Sequence, residues 1–368
     1  MQGGERLMKH LYIVAGGTGG HIFPAIAFGE WLKTHRREVS VSFVCGSRTL
    51  ELEIYEASGI KPIVLPISGS PFGIPSLSGK AKRVRDFFTT FSIFKAILKE
   101  RPVDACVLFG GYVSFVPLLL CHRARIPTVA HEQNSVAGKV TRLSSTLGKR
   151  VASGWSMCSP LSHEKFSYTG IPVRRFELKT PLEAWNSLGL GKTLPVKKIV
   201  GVLGGSLMSQ RLIQLLCPLL HAPGLEEVAF IIIGVSQLPD AFRHLQDTRR
   251  NIFFIEKQWD MSNFFSVVDA VVTRGGASTL AELAALGIPA LIIPWRKAAD
   301  NHQESNARCF LEHNEGALWQ EEEPPEILKE CILRILRSTR RPERAFSEGD
   351  ESESILRLIS SSSGREII

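Results

Sequence analysis

Residues 10–21 read HLYIVAGGTGGH, a short apolar run followed by a glycine-rich turn. Apolar residues recur at helical spacing after the turn, so this segment predicts a strand at residues 10–15, a tight turn and a helix from about Pro24. Similar apolar runs predict strands at residues 39–45, 62–66, 105–109, 128–130 and 150–152. Strands that alternate with helices in this way are typical of α/β domains with parallel sheets.

The same alternation restarts in the second half, with strands predicted at residues 198–203, 228–233, 252–255, 270–273 and 290–294. The polar stretch between the halves contains Pro172 and Pro181, which interrupt helix continuity. We therefore predict two doubly wound, Rossmann-like α/β domains that face a cleft. The predicted boundaries are an N-terminal domain at 1–169, a linker at 170–181, a C-terminal domain at 182–345, and a C-terminal helix with a frayed tail at 346–368.

Length, charge and cysteine content narrow the classes of function. A chain of 368 residues suits two domains. Residues 1–160 carry 20 basic and 10 acidic side chains, a net charge of +10, whereas residues 161–368 carry 24 and 26, a net charge of −2. The basic half indicates an anionic partner, which nucleic acid, a membrane or a phosphorylated substrate would satisfy. The seven scattered cysteines, with no CxxC pair, favour reduced thiols in a cytosolic protein, and no apolar stretch of about 18 residues predicts a membrane span.

Three glycine-rich loops each follow a predicted strand, at residues 16–21 (GGTGGH), 204–206 (GGS) and 273–279 (TRGGAST). Glycines let the backbone approach a ligand closely, and the amides at a helix start favour an anion. The loop at residues 16–21 matches neither the dinucleotide pattern nor the P-loop pattern. A tight turn without a ligand is the alternative for each loop alone. Together they predict a nucleotide-sugar site, in which Glu282 is placed to accept from a ribose diol.

Six motifs occur in order: GGTGGH (16–21), HEQN (131–134), GIPVR (170–174), GGS (204–206), RGGASTLAE (274–282) and DNHQESNA (300–307). Together they resemble the MurG family, the bacterial UDP-N-acetylglucosamine:lipid I N-acetylglucosaminyltransferases of glycosyltransferase family 28. The resemblance implies a GT-B fold and inverting, metal-independent transfer of GlcNAc from UDP-GlcNAc to the C4 hydroxyl of MurNAc in lipid I, which forms lipid II in peptidoglycan synthesis. It implies no cofactor and no metal, and the sequence contains no Asp-x-Asp pair that would hold a divalent ion.

The resemblance also implies roles for individual residues. Glu282 would bind the ribose hydroxyls, backbone groups near Gln258 would contact the uracil edge, and Arg174 would supply positive charge. The residues implied to bind the donor are Thr18, Gly19, Gly20, Asn134, Arg174, Ser206, Gln258, Gly276, Ala277, Ser278, Thr279, Glu282, His302 and Gln303. The residues implied to bind the acceptor are Gly17, Thr18, Gly19, His21 and Glu132.

His21 is the candidate general base, because inverting transfer must remove a proton from the attacking hydroxyl and imidazole accepts protons near neutral pH. The alternative is that His21 only hydrogen-bonds the acceptor or packs the loop. His131 is predicted to be structural, and Glu132 is expected to orient one of the two histidines. Met208 and Thr141 depart from the family pattern. Met208 is expected to weaken donor binding or to shift it to the loop at 274–279, and neither departure removes a predicted catalytic group.

Residues 68–101 combine basic side chains with phenylalanines at helical spacing. This pattern suits contact with an anionic membrane, and a core helix with a solvated polar face is the alternative. The predicted membrane contacts are Phe72, Ile74, Leu77, Lys80, Lys82, Arg83 and Arg85. Nucleic-acid binding is not favoured, because no recognised module is present. We expect a peripheral enzyme at the cytoplasmic face of the plasma (inner) membrane, with other cell-wall synthesis proteins as partners.

Three other functions stay open. The first is a UDP-sugar transferase that acts on another lipid or metabolite, against which the HEQN motif and the region of Gln303 argue. The second is a UDP-sugar 2-epimerase, which shares the two-domain architecture but would need additional acidic residues to shuttle protons. The third is a non-catalytic scaffold that binds a UDP-sugar, and Met208 is the only feature that favours it.

Overall fold

The computed structural model describes residues 10–69, 77–194, 198–204, 210–234, 251–337 and 349–363, with the backbone alone described at residues 77–82, 210, 220–221 and 363. Two compact units make up the chain. Unit 1 comprises Met1–Arg174 and Ser347–Ile368, and unit 2 comprises Arg175–Phe346. The division lies inside the stretch of residues 170–181 that we interpret as a linker.

In the described residues, unit 1 contains a seven-stranded parallel sheet in the order β3-β2-β1-β4-β5-β6-β7. The strands are β1 (His10–Ala15), β2 (Ser40–Cys45), β3 (Ile63–Val64), β4 (Ala105–Gly110), β5 (Thr128–Glu132), β6 (Arg150–Ser153) and β7 (Ser167–Tyr168). The connecting helices are α1 (Gly19–His35), α2 (Thr49–Ala57), α3 (Leu77–Glu100), α4 (Phe115–Arg123) and α5 (Lys139–Thr146). Strands covered by helices on both faces have continuous apolar sequences, and residues 11–15 of β1 are accordingly all buried.

Unit 2 contains a six-stranded parallel sheet in its described part, in the order β10-β9-β8-β11-β12-β13. Its strands are β8 (Lys198–Leu203), β9 (Val228–Ile233), β10 (Ile252–Ile255), β11 (Ala270–Thr273), β12 (Ala290–Ile292) and β13 (Gly316–Leu318). Its helices are α6 (Pro181–Ser187), α7 (Gln210–Leu216), α8 (Ser262–Val267), α9 (Ala277–Ala285), α10 (His302–Leu311) and α11 (Pro325–Arg337). The predicted class, two Rossmann-like parallel α/β sheets, is confirmed.

The last helix of the chain, α12 (Asp350–Ser363), belongs to unit 1 rather than to the preceding unit. Its apolar face is buried through Ile355, Leu356 and Ile359. An ion pair of 3.0 Å joins Arg36, just after α1, to Glu353 of this helix. The chain therefore returns to its first sheet at the end. About the last eight residues are predicted to fray. Of these, residues 361–363 belong to α12, and residues 364–368 lie outside the described part.

Helix α1 begins five residues earlier than predicted, at Gly19, so that Pro24 lies inside the helix. Glycine is a poor helix former and proline a frequent first residue, which explains the error. Because the first amides of a helix have no intrahelical acceptor, the early start leaves the amides of Gly19 and Gly20 available to a ligand, whereas the amide of His21 donates to the carbonyl oxygen of Thr18. None of the helices within the described ranges is long and apolar enough to cross a membrane.

Candidate functional site

The glycine turn after β1 meets the end of β4 at one edge of the unit 1 sheet. The register pairs Ala15 with Gly110, and Gly111 follows with a φ of +80°. A Cβ at Gly111 would overlap the carbonyl oxygen of Gly16. A glycine is therefore required at position 111 for two reasons: its left-handed backbone and the close approach of the two loops.

A buried carboxylate holds the glycine turn in place through hydrogen bonds. Glu51 of α2 is fully buried and accepts from the amides of Gly17, at 2.9 Å, and Gly46, at 2.7 Å. The hydroxyl of Tyr112 donates to the same carboxylate. Burial and the neighbouring Glu51 raise the pKa of Tyr112 well above its ordinary value, so Tyr112 stays protonated and remains a donor. The glycine turn therefore has a fixed shape.

His21, the candidate base, lies in the first turn of α1 and is half-buried. Its Nδ1 is 2.8 Å from Oε1 of Gln133. A Cβ at Gly110 would lie only 3.0 Å from the same Nδ1, so this glycine leaves room for the ring. The structure thus brings the GGTGGH and HEQN motifs into direct contact.

His131 is buried behind Gln133. Its Nε2 is 2.9 Å from the carbonyl oxygen of Gly170, its Nδ1 is 3.0 Å from Nε2 of Gln133, and its ring stacks on Phe109 with centroids 5.0 Å apart. Burial lowers the pKa of His131 to about 4, so the ring is neutral at pH 7. These contacts agree with a structural role for His131.

Glu132 does not orient either histidine, contrary to our expectation; Gln133 contacts both of them instead. Instead, the two oxygens of the Glu132 carboxylate accept hydrogen bonds from the segment that follows β5. Oε1 accepts from the backbone and side-chain amides of Asn134 at 3.1 Å, and Oε2 accepts from the Thr141 hydroxyl at 2.6 Å. Thr141 therefore supplies a hydrogen-bond donor at the position where its residue type departs from the family pattern.

Two further residues assigned to the donor lie on or near α1. Thr18 is the N-cap residue of α1, but its side chain makes no capping hydrogen bond. The guanidinium of Arg174 lies 3.9 Å from the ring centroid of Phe23 in the same helix, a cation–π contact within unit 1. Arg174 is thus fixed at the last position of this unit.

In unit 2, the loop after β11 packs tightly against the start of α10. A Cβ at Gly275 would overlap the carbonyl oxygen of Gln303. The side-chain amide of Asn306, which is fully buried, donates to the carbonyl oxygen of Gly275 at 2.9 Å. The RGGASTLAE and DNHQESNA motifs are therefore neighbours, joined at Gly275.

The same loop presents the start of helix α9. Gly276 is its N-cap residue, and no side chain caps the helix there. The first amides of α9, at Ala277, Ser278 and Thr279, have no intrahelical acceptor and carry the positive end of the helix dipole. This arrangement suits an anionic group such as a diphosphate. Glu282, one turn further along, is buried with 7% of its surface exposed.

Arg274 is a residue that we did not single out from the sequence. It is buried and donates to the carbonyl oxygen of Ile293 at 3.0 Å and to the carboxylate of Glu321 at 2.8 Å. The ion pair ties the loop after β11 to the segment after β13. Arg274 therefore fixes the shape of the loop, a role that its position in a glycine-rich motif does not reveal.

The remaining donor residues lie on three segments of unit 2. Nδ1 of His302 is 2.7 Å from the carbonyl oxygen of Ala299, and Oε1 of Gln303 accepts from the amide of Trp295 at 2.8 Å. Because Oε1 of Gln303 already has a partner, its amide nitrogen is the atom suited to a sugar oxygen. The side chain of Gln258 donates to the carbonyl oxygen of Glu256 at 3.3 Å.

Several predicted residues fall outside the described part of the chain. They are Ser206 and Met208 in the loop after β8, and Phe72 and Ile74 before α3. Leu77, Lys80 and Lys82 lie on α3, but only their backbone is described.

Helix α3 has one buried and one exposed face. Phe94 is fully buried, and the ring of Phe87 packs 5.8 Å from that of Phe115 in α4. On a neighbouring face, Val84 and Phe88 are 48% and 63% exposed, and Arg85 is exposed as well. Part of the phenylalanine pattern therefore belongs to the core, and part of it faces outward.

Comparison with known proteins places both units in one family. The glycosyltransferase family 28 N-terminal domain matches residues 11–153, and the glycosyltransferase family 28 C-terminal domain matches residues 199–359. A UDP-N-acetylglucosamine–N-acetylmuramyl-(pentapeptide) pyrophosphoryl-undecaprenol N-acetylglucosamine transferase of Carboxydothermus hydrogenoformans is 31% identical over 359 residues, 94% of this chain and 93% of the relative.

Two solved structures share the fold. The MurG of Acinetobacter baumannii is 23% identical and superposes with a TM-score of 0.67, covering 96% of this chain and 99% of the other. The UDP-GlcNAc 2-epimerase of Neisseria meningitidis, bound to UDP-GlcNAc, is 14% identical with a TM-score of 0.62 and covers 96% and 100%. The fold alone therefore does not separate a transferase from an epimerase.

Proposed function

The chain belongs to glycosyltransferase family 28, and we propose that it transfers GlcNAc from UDP-GlcNAc to the C4 hydroxyl of MurNAc in lipid I, forming lipid II. The observation that carries this proposal is the 31% identity to the Carboxydothermus hydrogenoformans transferase across 94% of the chain. The predicted family is confirmed, and the chain is a glycosyltransferase of peptidoglycan synthesis. An epimerase relationship is supported only by the shared fold.

We assign His21 as the general base of an inverting transfer. The acceptor oxygen forms a bond to C1 of GlcNAc while the bond from C1 to the diphosphate breaks, and the hydroxyl proton passes to Nε2 of His21. In support, Nδ1 of His21 is occupied by Gln133, whereas Nε2 has no hydrogen-bond partner among the residues that the structure describes. A positioned base contributes roughly 10²–10⁴-fold to such reactions.

We assign the donor to unit 2, where the start of α9 would hold the diphosphate without a metal ion. Its first amides and helix dipole stabilise the negative charge that develops on departing UDP. Glu282 would accept from the ribose hydroxyls, Gln258 would lie at the uracil, and His302 with Gln303 would contact the sugar. The resemblance also assigns Thr18, Gly19, Gly20, Asn134 and Arg174 to the donor, which stays a prediction.

We assign the acceptor to the glycine turn of unit 1. The amide of Gly19 and the hydroxyl of Thr18 suit the oxygens of a pyrophosphate. Gly17 would contribute through the shape of the turn, because its amide already donates to Glu51. Glu132 would act there through the loop that it fixes, because both of its oxygens already accept from that loop. This assignment is supported by the basic character of residues 1–160.

We further propose that α3 binds the cytoplasmic face of an anionic membrane as a peripheral contact. Helical spacing places Val84, Phe88, Lys95 and Lys99 on one side, and all four are exposed. Apolar side chains enter the lipid interface while lysines attract anionic headgroups. Phe72 and Ile74 lie outside the described residues and stay predicted membrane contacts.

The variant Phe88→Ser is expected to bind anionic vesicles about tenfold more weakly, because burying a phenylalanine side chain contributes roughly 1.5–3 kcal/mol and about 1.4 kcal/mol is tenfold. Co-sedimentation with vesicles of phosphatidylglycerol and phosphatidylcholine measures this. The matched control is Leu182→Ser, an exposed leucine of unit 2. Equal vesicle binding by the two variants would refute the contact at α3.

The transferase proposal is tested by the release of UDP with and without an acceptor. We expect UDP to appear only when UDP-GlcNAc and a lipid I analogue are both present. A 2-epimerase would convert UDP-GlcNAc without any acceptor, and a scaffold would bind it without turnover. Either of those results would reject the proposed transfer.

A further inference from the structure

Gln133 lies between the two histidines of unit 1 and is 2% exposed. Its Oε1 faces Nδ1 of His21 at 2.8 Å, and its Nε2 faces Nδ1 of His131 at 3.0 Å. Trp155 holds the backbone of Gln133 as well, by donating to its carbonyl oxygen at 2.8 Å. A buried amide with this many partners has one fixed orientation.

The orientation of the amide follows from the groups around its nitrogen. Nε2 of Gln133 lies 3.3 Å from the carbonyl oxygen of His131, which can only accept. Nε2 of His131 faces the carbonyl oxygen of Gly170, so it carries the proton of that ring. Nδ1 of the neutral His131 ring is then an acceptor too. Two acceptors surround Nε2 of Gln133, so the nitrogen, not the oxygen, belongs at this position.

With the amide fixed, Oε1 of Gln133 must accept from His21. Nδ1 of His21 therefore carries a proton, and in the neutral ring Nε2 is left without one. We propose that Gln133 is a positioning residue that holds His21 as the Nδ1–H tautomer, so that Nε2 is the nitrogen free to take the proton of the attacking hydroxyl. This inference rests on the proposed function, in which His21 is the base.

The hydrogen bonds stay satisfied through the proton transfer. When Nε2 of His21 takes the proton, the ring becomes an imidazolium that still donates from Nδ1 to Oε1 of Gln133. A hydrogen bond from the charged ring is stronger than one from the neutral ring, so the contact to Gln133 is kept in both states. The proton later leaves Nε2 for solvent, which restores the starting tautomer. His131 keeps its own proton throughout.

The direct test is nitrogen NMR of the full chain with ¹⁵N-labelled histidine, with His21 assigned by the loss of its signals in His21→Ala. In the wild-type protein at a pH where His21 is neutral, we expect Nδ1 of His21 to be protonated and Nε2 to be unprotonated. Signals that show the proton on Nε2 would overturn the inference. This measurement needs no variant of Gln133 to fold.

The kinetic test uses Gln133→Met, which keeps the side-chain length but removes the amide, with its oxygen acceptor and its nitrogen donor. We expect kcat to fall by about 10- to 100-fold, part of what a general base supplies, with the KM for UDP-GlcNAc nearly unchanged. In the His21→Ala background the same substitution should cause no further fall in kcat, because Gln133 acts through His21.

Failure of the inference and failure of the proposed function give different results. If Gln133→Met lowers kcat as much in His21→Ala as in the wild-type protein, Gln133 supports the structure only and the positioning role is overturned, while His21 stays the base. If His21→Ala retains near-normal turnover, the assignment of the base is itself wrong and the positioning role is overturned with it.

Discussion

His21→Ala is expected to lower kcat by about 10²-fold or more, because no other side chain is assigned to take the proton of the acceptor hydroxyl. Binding of UDP-GlcNAc should change little, since Nδ1 of His21 is engaged with Gln133 and the donor is assigned mainly to unit 2. Steady-state kinetics with a lipid I analogue and calorimetric titration with UDP-GlcNAc measure the two effects separately.

The matched control for this experiment is His163→Ala, an exposed histidine of the same unit. We expect its kcat to equal that of the wild-type protein. If the two alanine variants turn over at similar rates, His21 is not the base. A fall in kcat that acetate or imidazole in the buffer partly restores would add support for proton transfer at this position.

Gly275→Ala is expected to raise the KM for UDP-GlcNAc by up to about 10²-fold. Its Cβ would overlap the backbone oxygen of Gln303, so either the loop after β11 or the start of α10 must move. Both segments carry residues assigned to the donor, and a displacement of about 1 Å in a positioning element can cost about 10²-fold. The affinity for UDP-GlcNAc, measured by titration, should fall in parallel.

Gly276→Ala provides the comparison, because a Cβ there has its nearest neighbour at 4.0 Å and the backbone φ of −74° suits alanine. It adds the same methyl group one residue along without displacing backbone. We expect a clearly smaller rise in KM than for Gly275→Ala. An equal rise would mean that contact between the loop and α10 does not control donor binding.

The interior strands and the edge strands β3 and β10 could be predicted from sequence, whereas the edge strands β7 and β13 could not. Strands β1 and β8 have the predicted bounds, because parallel strands buried on both faces are continuous apolar runs. The edge strands β7 and β13 contain only two and three residues and were not predicted. Their pairing with β6 and β12 depends on the neighbouring strand rather than on any pattern of their own.

In the candidate site, too, some residues could be predicted from the sequence and others could not. The motifs identify His21, Glu282 and the glycine turns, because each of these follows a strand of its own sheet. The carboxyl ends of parallel strands are where such sheets bind ligands. The partners that fix them are not adjacent in sequence. Glu51 reaches Gly17 from α2, Arg274 pairs with Glu321, and Gln133 reaches His21 across 112 residues. Only the folded arrangement brings such pairs together.

Product analysis with the purified wild-type chain tests the central claim most directly. The chain is incubated with labelled UDP-GlcNAc and a lipid I analogue, with and without a metal chelator, and the lipid fraction is examined by mass spectrometry and NMR. We predict a lipid-linked disaccharide in which GlcNAc is joined to the C4 oxygen of MurNAc with inverted anomeric configuration, formed equally well with the chelator. Bound UDP-GlcNAc without any lipid-linked disaccharide would contradict the assignment of this chain as the transferase that forms lipid II.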